Sequence, residues 1–211
     1  MSFLKKDKQD LHQPLFPECY YHVYNRGNNL DKLFYKPENY YYFFEKIEKY
    51  ISDYLMFYAY CLHPNHFHFI VKPKNIDGIS EILSEQFRRL FLSYSKAINK
   101  QENRSGSLFQ KHFKRKLIKD QYYFMNSIFY VHANPTHHKI TQDFTKYPYS
   151  SYSLYVNEKV GDKGDMTSAN WRMSYLLKKE EVLEMFGGIE NFIAFHKRDI
   201  DRLLDDEYVL D

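Results

Sequence analysis

The sequence predicts an α+β fold with an antiparallel sheet, and three observations support this prediction. Hydrophobic residues make up 44% and charged residues 27% of the 211 residues, a balance typical of a globular chain that can build a core. Short segments rich in aromatic and β-branched residues have the length and composition of strands. Longer segments between them repeat apolar residues at helical spacing.

The first half of the chain predicts a strand, a helix and a hairpin. Residues 20–26 form a strand that Gly27 ends. Residues 36–53 form a helix, because Pro37 suits a first turn and apolar residues recur every three or four positions. Residues 55–62 and 67–72 are strands separated by His63-Pro64-Asn65, which we interpret as a hairpin turn.

The second half predicts a helix, a strand and a final helix. Residues 79–99 have one apolar stripe and one basic face, and residues 113–118 alternate basic and apolar side chains as a strand with one wet face would. Asp120 suits the N-cap of a helix over 121–133, which we expect to end near Asn134 because Pro135 follows. The complete order is the ferredoxin-like β-α-β-β-α-β arrangement followed by one more helix.

The chain divides by composition into three segments. Residues 1–17 are polar and predict a flexible or loosely docked arm, residues 18–145 hold the core, and residues 146–211 predict an extension with helices at 178–186 and 189–204. Cys19 and Cys61 are the two cysteines, and no segment reaches the roughly 20 apolar residues of a membrane span. We therefore expect a reduced, cytoplasmic protein that does not enter the membrane.

Positive charge is concentrated in the middle of the chain. The net charge is only +3, but residues 86–119 contain ten Lys or Arg residues and a single acid. A phosphate backbone would bind here, although a solvated basic helix and loop would give the same pattern. The residues that we expect to contact such a backbone are Arg88, Arg89, Lys111, Lys114, Arg115 and Lys116.

His66-Phe67-His68 begins a predicted strand, so both imidazoles project from one face and can bind one divalent ion. Taken alone, this pattern is more often that of ordinary packed or surface histidines. Tyr130 and Asn134 lie four residues apart at the end of the last core helix and share a face. A phenol and an amide oxygen would then point toward one place, although an Asn before Pro is also a common helix stop.

Five sequence blocks stand out along the chain. They are Tyr21-His22-Val23-Tyr24-Asn25-Arg26-Gly27, His63-Pro64-Asn65-His66-Phe67-His68, Gly106-Ser107-Leu108-Phe109-Gln110, Tyr130 to Pro135, and Tyr147-Pro148-Tyr149-Ser150-Ser151-Tyr152. Together and in this order, they resemble the IS200-like and REP-associated single-tyrosine transposases of the HUH endonuclease superfamily. The resemblance covers about residues 18–190.

The resemblance implies a role for each residue of the predicted site. His66 and His68 would be ligands of Mg²⁺ or Mn²⁺, Tyr130 the nucleophile, and Asn134 a third ligand where relatives often have Gln. Tyr122 and Tyr123 on the same helix compete with Tyr130 for the nucleophile's role. The implied substrate is single-stranded, hairpin-forming DNA, cut and rejoined through a 5'-phosphotyrosine intermediate by a monomer or a homodimer.

Two other function classes fit the same residues. The protein would bind DNA or RNA without transposing if it were a domesticated member of this fold. It would hydrolyse phosphodiesters without a covalent adduct if the metal activated water. Chemistry on DNA separates these hypotheses, because only the transposase mechanism links DNA to the protein.

Overall fold

The structure, a computed structural model, describes residues 11–157 and 171–198. Its strands are Tyr20–Arg26 (β1), Leu55–His63 (β2), His66–Pro73 (β3) and Lys114–Ile118 (β4). The core helices are Pro37–Tyr50 (α1), Ile79–Gln101 (α2) and Gln121–His137 (α3). The order agrees with the prediction, and most boundaries agree within three residues.

The strands form one antiparallel sheet in the order β2-β3-β1-β4. The central strand β1 pairs antiparallel with both β3 and β4, and β2 closes the other edge against β3. This order is that of the split β-α-β arrangement, so the predicted ferredoxin-like α+β core is confirmed.

The two faces of the sheet carry different helices. On one face, the Phe67 ring of β3 lies 5.5 Å from Phe43 of α1 and 5.9 Å from Phe91 of α2. On the other face, α3 packs through Phe124, whose ring lies 4.7 Å from Tyr20 of β1. Side chains alternate along a strand, so the residues on either side of Phe67 in β3 point toward α3.

The turn between β2 and β3 is shorter than the sequence predicts. His63 belongs to β2 and pairs with His66, the first residue of β3, so that only Pro64 and Asn65 lie between the strands. The extra pairing makes His63 and His66 direct cross-strand neighbours.

The end of α3 corrects a second prediction. The helix passes through Pro135 and ends at His137 instead of stopping near Asn134. A proline this close to the end removes only one helical hydrogen bond, and the N–H of His138 still donates to the carbonyl of Asn134 at 2.9 Å. Burial of almost every residue from Tyr123 to Pro135 outweighs the local preference of the residue before proline.

The C-terminal helices are Tyr152–Val156 (α4), Trp171–Ser174 (α5), Lys179–Phe186 (α6) and Ile189–Phe195 (α7). Helices α4 and α6 contact β2, whereas Arg172 of α5 forms ion pairs with Glu45 and Glu48 of α1 at 3.5 and 2.6 Å. The hydroxyl of Tyr155 donates to the Tyr58 carbonyl, and the hydroxyl of Tyr58 donates to Glu181 at 2.9 Å. The last helix was predicted to reach residue 204, but it ends at Phe195 with His196 as its C-cap, and residues 199–204 lie outside the described residues.

Part of the predicted N-terminal arm is docked on the core. Leu15 is fully buried, and its N–H donates to Ser80 Oγ at 3.1 Å. Residues 1–10 lie outside the described residues, and the division into arm, core domain and extension stays a prediction. Among the described helices, none combines the length and apolar character needed to cross a membrane.

Candidate active site

Histidines from three neighbouring strands meet on the face of the sheet that α3 covers. His22 comes from β1, His63 from β2, and His66 and His68 from β3. All are buried, with exposed fractions of 5% or less. Desolvation, and then the neighbouring histidines, lower the pKa of His68 well below its ordinary value. This ring is therefore neutral at pH 7 and keeps the lone pair that coordination requires.

The rings of His66 and His68 are oriented to bind one ion. Their centroids lie 4.9 Å apart and their planes are 89° apart. Together with His63, each offers a nitrogen within 4.8 Å of the others. The His63 ring, however, is stacked on His66 at 4.1 Å with planes only 6° apart. An imidazole lone pair lies in the ring plane, so two stacked rings do not point at the same ion. His63 is therefore better suited to support the His66 ring by stacking than to act as a third ligand.

Asn134 brings an oxygen to the same place. Its side chain is fully buried on α3, with Oδ1 3.4 Å from His66 Nε2. Its Nδ2 has no hydrogen-bond partner within the described residues. Only Oδ1 of this amide can coordinate a cation, because the Nδ2 hydrogens are donors. Two imidazoles and one amide oxygen form a donor set that fits a divalent ion, and Mn²⁺ accepts this mixture more readily than Mg²⁺.

Tyr130 lies one helical turn before Asn134 and beside the histidines. Its ring meets His68 nearly edge-on, at 6.1 Å between centroids and 87° between planes, and it meets His22 at 6.3 Å. The side chain is 1% exposed. Of the two competing tyrosines, Tyr122 is 53% exposed, and Tyr123 packs under the Lys116 ammonium group at 5.4 Å. The structure thus brings Tyr130, His66, His68 and Asn134 together.

Three sequence blocks interlock around the turn that carries His66. The N–H of Gly27 donates to the Asn65 carbonyl at 2.7 Å, and the N–H of Leu33 donates to the Pro64 carbonyl at the same distance. From the third block, the N–H of Gln110 donates to the Arg26 carbonyl at 2.9 Å. A side chain at Gly27 would place its Cβ 1.9 Å from the Asp31 carbonyl oxygen, so this backbone approach requires glycine.

A buried polar network fixes the middle of α3. The two ring nitrogens of His132 lie 2.7 Å from Ser151 Oγ and 2.9 Å from His196 Nε2. The Tyr60 N–H donates to the same Ser151 oxygen at 2.9 Å, which links the network to β2. Burial lowers the pKa of His132 well below the ordinary value and that of His196 to about 4. Both rings are therefore neutral at pH 7, and the network holds the helix of Tyr130 through polar contacts that carry no charge.

The predicted basic contacts divide between the two faces of the sheet. Lys114 and Lys116 pair across from Tyr24 and His22, on the histidine face. Lys114 also lines a small cavity that reaches His66. Arg115 points to the opposite face, where its guanidinium group packs on Phe113 at 4.9 Å.

That opposite face also carries a cleft, and the described residues that line it are His12, Asn25, Ser84, Arg88, Phe91, Gln110, His112, Phe113 and Arg115.

The arginines of α2 are not free cations. Glu85 accepts hydrogen bonds from Arg88 Nε at 2.7 Å and Nη2 at 2.9 Å, and from Arg89 Nε at 2.8 Å. These contacts lower the pKa of Glu85 to about 2, so the carboxylate stays charged. Lys111 is exposed in the loop before β4. The basic segment identified in the sequence began at residue 86 and therefore left out Glu85. The position of Glu85, three and four residues before the arginines on one helix, would have predicted these ion pairs.

Comparison with known proteins supports the resemblance noted from the sequence. No family model matches the chain. A curated relative, a putative REP-associated tyrosine transposase of Haemophilus influenzae, is 29% identical over 108 residues, which cover 48% of this chain. The match spans 61% of that relative's length.

A solved structure of a REP-associated tyrosine transposase bound to a REP hairpin superposes with a TM-score of 0.57 at 17% identity, covering 75% of this chain and 87% of that one. The predicted resemblance is thereby confirmed, and the structural likeness is one of fold.

Proposed function

We propose that this protein is a transposase-type nuclease that cuts and rejoins single-stranded, hairpin-forming DNA through a covalent bond to Tyr130. The observation that carries this proposal is the convergence of one phenol with two imidazoles and an amide. Tyr130 lies against His68, and Asn134, one turn further along α3, lies 3.4 Å from His66. The similarity to REP-associated tyrosine transposases supports the same chemistry.

The reaction would exchange one phosphodiester bond for another. The Tyr130 hydroxyl loses its proton, and its oxygen attacks the scissile phosphorus as the bond to the 3'-oxygen breaks. The products are a 5'-phosphotyrosine linkage and a free 3'-hydroxyl. Attack by a 3'-hydroxyl on the same phosphorus reverses the exchange and releases the tyrosine, so rejoining requires no nucleotide triphosphate.

His66, His68 and Asn134 would hold the divalent cation. When bound, Mn²⁺ or Mg²⁺ supplies positive charge that stabilises the negative charge developing on the phosphate oxygens. The neutral state of His68 favours this role, because a protonated imidazole has no lone pair to offer.

The burial of Tyr130 sets a condition on the reaction. With 1% of its surface exposed, the phenol meets a phosphate only after α3 or the side chains around it move. Packing of α3 against the C-terminal helices limits such movement in the protein without DNA.

The DNA would run along the basic edge of the sheet. Lys114 and Lys116 lie on the histidine face of β4, the strand at that edge, and provide charges for phosphates next to the reacting one. The solved transposase of the same fold was bound to a REP hairpin, which supports hairpin DNA as the substrate.

A labelled-DNA assay tests the proposal. Oligonucleotides that form hairpins from the DNA around the protein's own gene are labelled at the 3' end, incubated with the protein and Mn²⁺, and separated on a denaturing gel. We expect a labelled protein band with the wild-type chain and with Tyr123→Phe, and no such band with Tyr130→Phe. Cleavage without a protein-bound label would instead indicate metal-dependent hydrolysis, and binding without cleavage would indicate a domesticated nucleic-acid-binding protein.

A further inference from the structure

His22 makes a direct contact with His68, one of the ligands of the proposed cation. Its Nε2 lies 2.8 Å from His68 Nδ1, and both side chains are fully buried. The ring planes differ by only 13°, and the centroids are 5.0 Å apart. This separation is about the N···N distance plus two ring radii, so the imidazoles lie side by side in nearly one plane. The hydrogen bond therefore runs along the in-plane lone pair, which is its strongest direction.

A neutral imidazole carries one hydrogen, so the contact has two arrangements. In the first, His68 Nδ1 donates to His22 Nε2, and the lone pair of His68 is on Nε2. In the second, His22 Nε2 donates to His68 Nδ1, and the hydrogen of His68 is on Nε2. Only the first arrangement leaves His68 able to coordinate through the nitrogen that does not face His22.

We propose that His22 is a positioning residue that accepts the Nδ1 hydrogen of His68 and thereby presents the His68 Nε2 lone pair to the cation. This inference rests on the proposed function for the presence of the cation. Metal-binding histidines commonly donate their second nitrogen to a carboxylate, a carbonyl or water, and such partners fix both the tautomer and the ring orientation. Here an imidazole from the neighbouring strand takes that place.

The strand register makes the contact specific to position 22. His68 pairs directly with Tyr24 of β1, and His22 is the next residue of β1 on the same face. The Tyr24 ring lies 4.8 Å from His22 with planes 16° apart, which restrains the His22 ring. His66 has a different partner, since its Nδ1 lies 2.7 Å from Asn65 Oδ1. Each of the two ligand histidines therefore has its own orienting group.

Mn²⁺ affinity, measured by isothermal titration calorimetry without DNA, tests the proposal. His22→Phe keeps a planar ring but removes the acceptor, and we expect the affinity to fall about 10- to 100-fold, the usual cost of losing an outer partner. His22→Gln restores an acceptor on a side chain of similar reach, and we expect it to recover most of the affinity. Tyr20→Phe, two residues earlier on the same face, is the control and should bind as the wild type does.

Two results would overturn the proposal: a His22→Phe protein that binds Mn²⁺ as tightly as the wild type, or a folded His22→Gln protein as weak as His22→Phe. If the variants do not fold, nitrogen-15 chemical shifts of the wild-type histidines decide, because we expect the hydrogen of His68 on Nδ1 and would abandon the proposal if it were on Nε2. Failure of the proposed function is a separate result, because it shows as a missing DNA adduct while the variants still differ in Mn²⁺ affinity.

Discussion

Replacing Glu85 with Gln should strengthen DNA binding and make it more dependent on salt. Glu85 holds both Arg88 and Arg89 through hydrogen bonds of 2.7 to 2.9 Å. Its pKa of about 2 means that this negative charge persists over the whole working range of pH. The substitution removes the charge and leaves two arginines able to contact phosphates.

The size of the effect follows from the number of arginines released. Each added phosphate contact steepens the slope of log affinity against log salt by about 0.7 to 0.9. One or two new contacts therefore change the slope by about 0.7 to 1.8. Between 0.05 and 0.2 M salt, the affinity advantage of the variant over the wild type should shrink by about 3- to 12-fold.

Fluorescence anisotropy with a labelled hairpin oligonucleotide, repeated across that salt range, measures both slopes. Glu81→Gln is the matched control, because Glu81 lies one turn earlier on α2 and makes no ion pair within the described residues. It removes the same charge without releasing an arginine, so its slope should stay close to that of the wild type. Equal slopes for Glu85→Gln and the wild type would show that Arg88 and Arg89 do not contact the DNA backbone.

Three further predictions concern the parts that support the site. Gly27→Ala should destabilise the fold by about 1 to 3 kcal/mol in urea unfolding, because its Cβ would meet the Asp31 carbonyl at 1.9 Å, and an unchanged midpoint would contradict the close approach. Asp120→Ala should cost about 1 kcal/mol, since it removes the 2.7 Å cap on the Tyr123 N–H, and Asp120→Asn should retain most of that stability. His196, whose pKa falls from 6.5 to about 4 on folding, leaves the unfolded chain binding a proton that the folded chain does not bind. Stability should therefore decrease by up to about 1.4 kcal/mol per pH unit as pH falls through that window, and denaturation at several pH values should show a shallower dependence for His196→Gln.

The element order and the relative placement of the candidate site residues could be predicted because they depend on local patterns. Strand alternation places His66 and His68 on one face of β3, and helical spacing places Tyr130 and Asn134 on one face of α3. Both placements are independent of the rest of the chain. The resemblance to a known family then indicated that the two faces meet. The sequence pattern did not indicate that α3 is buried on almost all sides. This burial explains why the helix continues through Pro135.

The remaining features depend on tertiary contacts that sequence spacing does not encode. The contact of His22 with His68 joins residues 46 positions apart, and that of His132 with His196 joins residues 64 apart. The ion pairs of Arg88 and Arg89 with Glu85 are an exception, because they are local. The spacing of three and four residues in one helix could have predicted them from the sequence. The stacking of His63 on His66 requires the two-residue turn, whereas the sequence predicts a three-residue turn that includes His63.

Mass spectrometry of the protein–DNA adduct tests the central claim most directly. After reaction with hairpin DNA and digestion by nuclease and trypsin, Tyr122, Tyr123 and Tyr130 lie on one peptide between Lys119 and Lys139. Fragmentation of that peptide should place the phosphonucleotide mass on Tyr130. The same mass on Tyr122 or Tyr123, or an unmodified peptide from a reaction in which the DNA has been cut, would contradict the assignment of Tyr130 as the nucleophile.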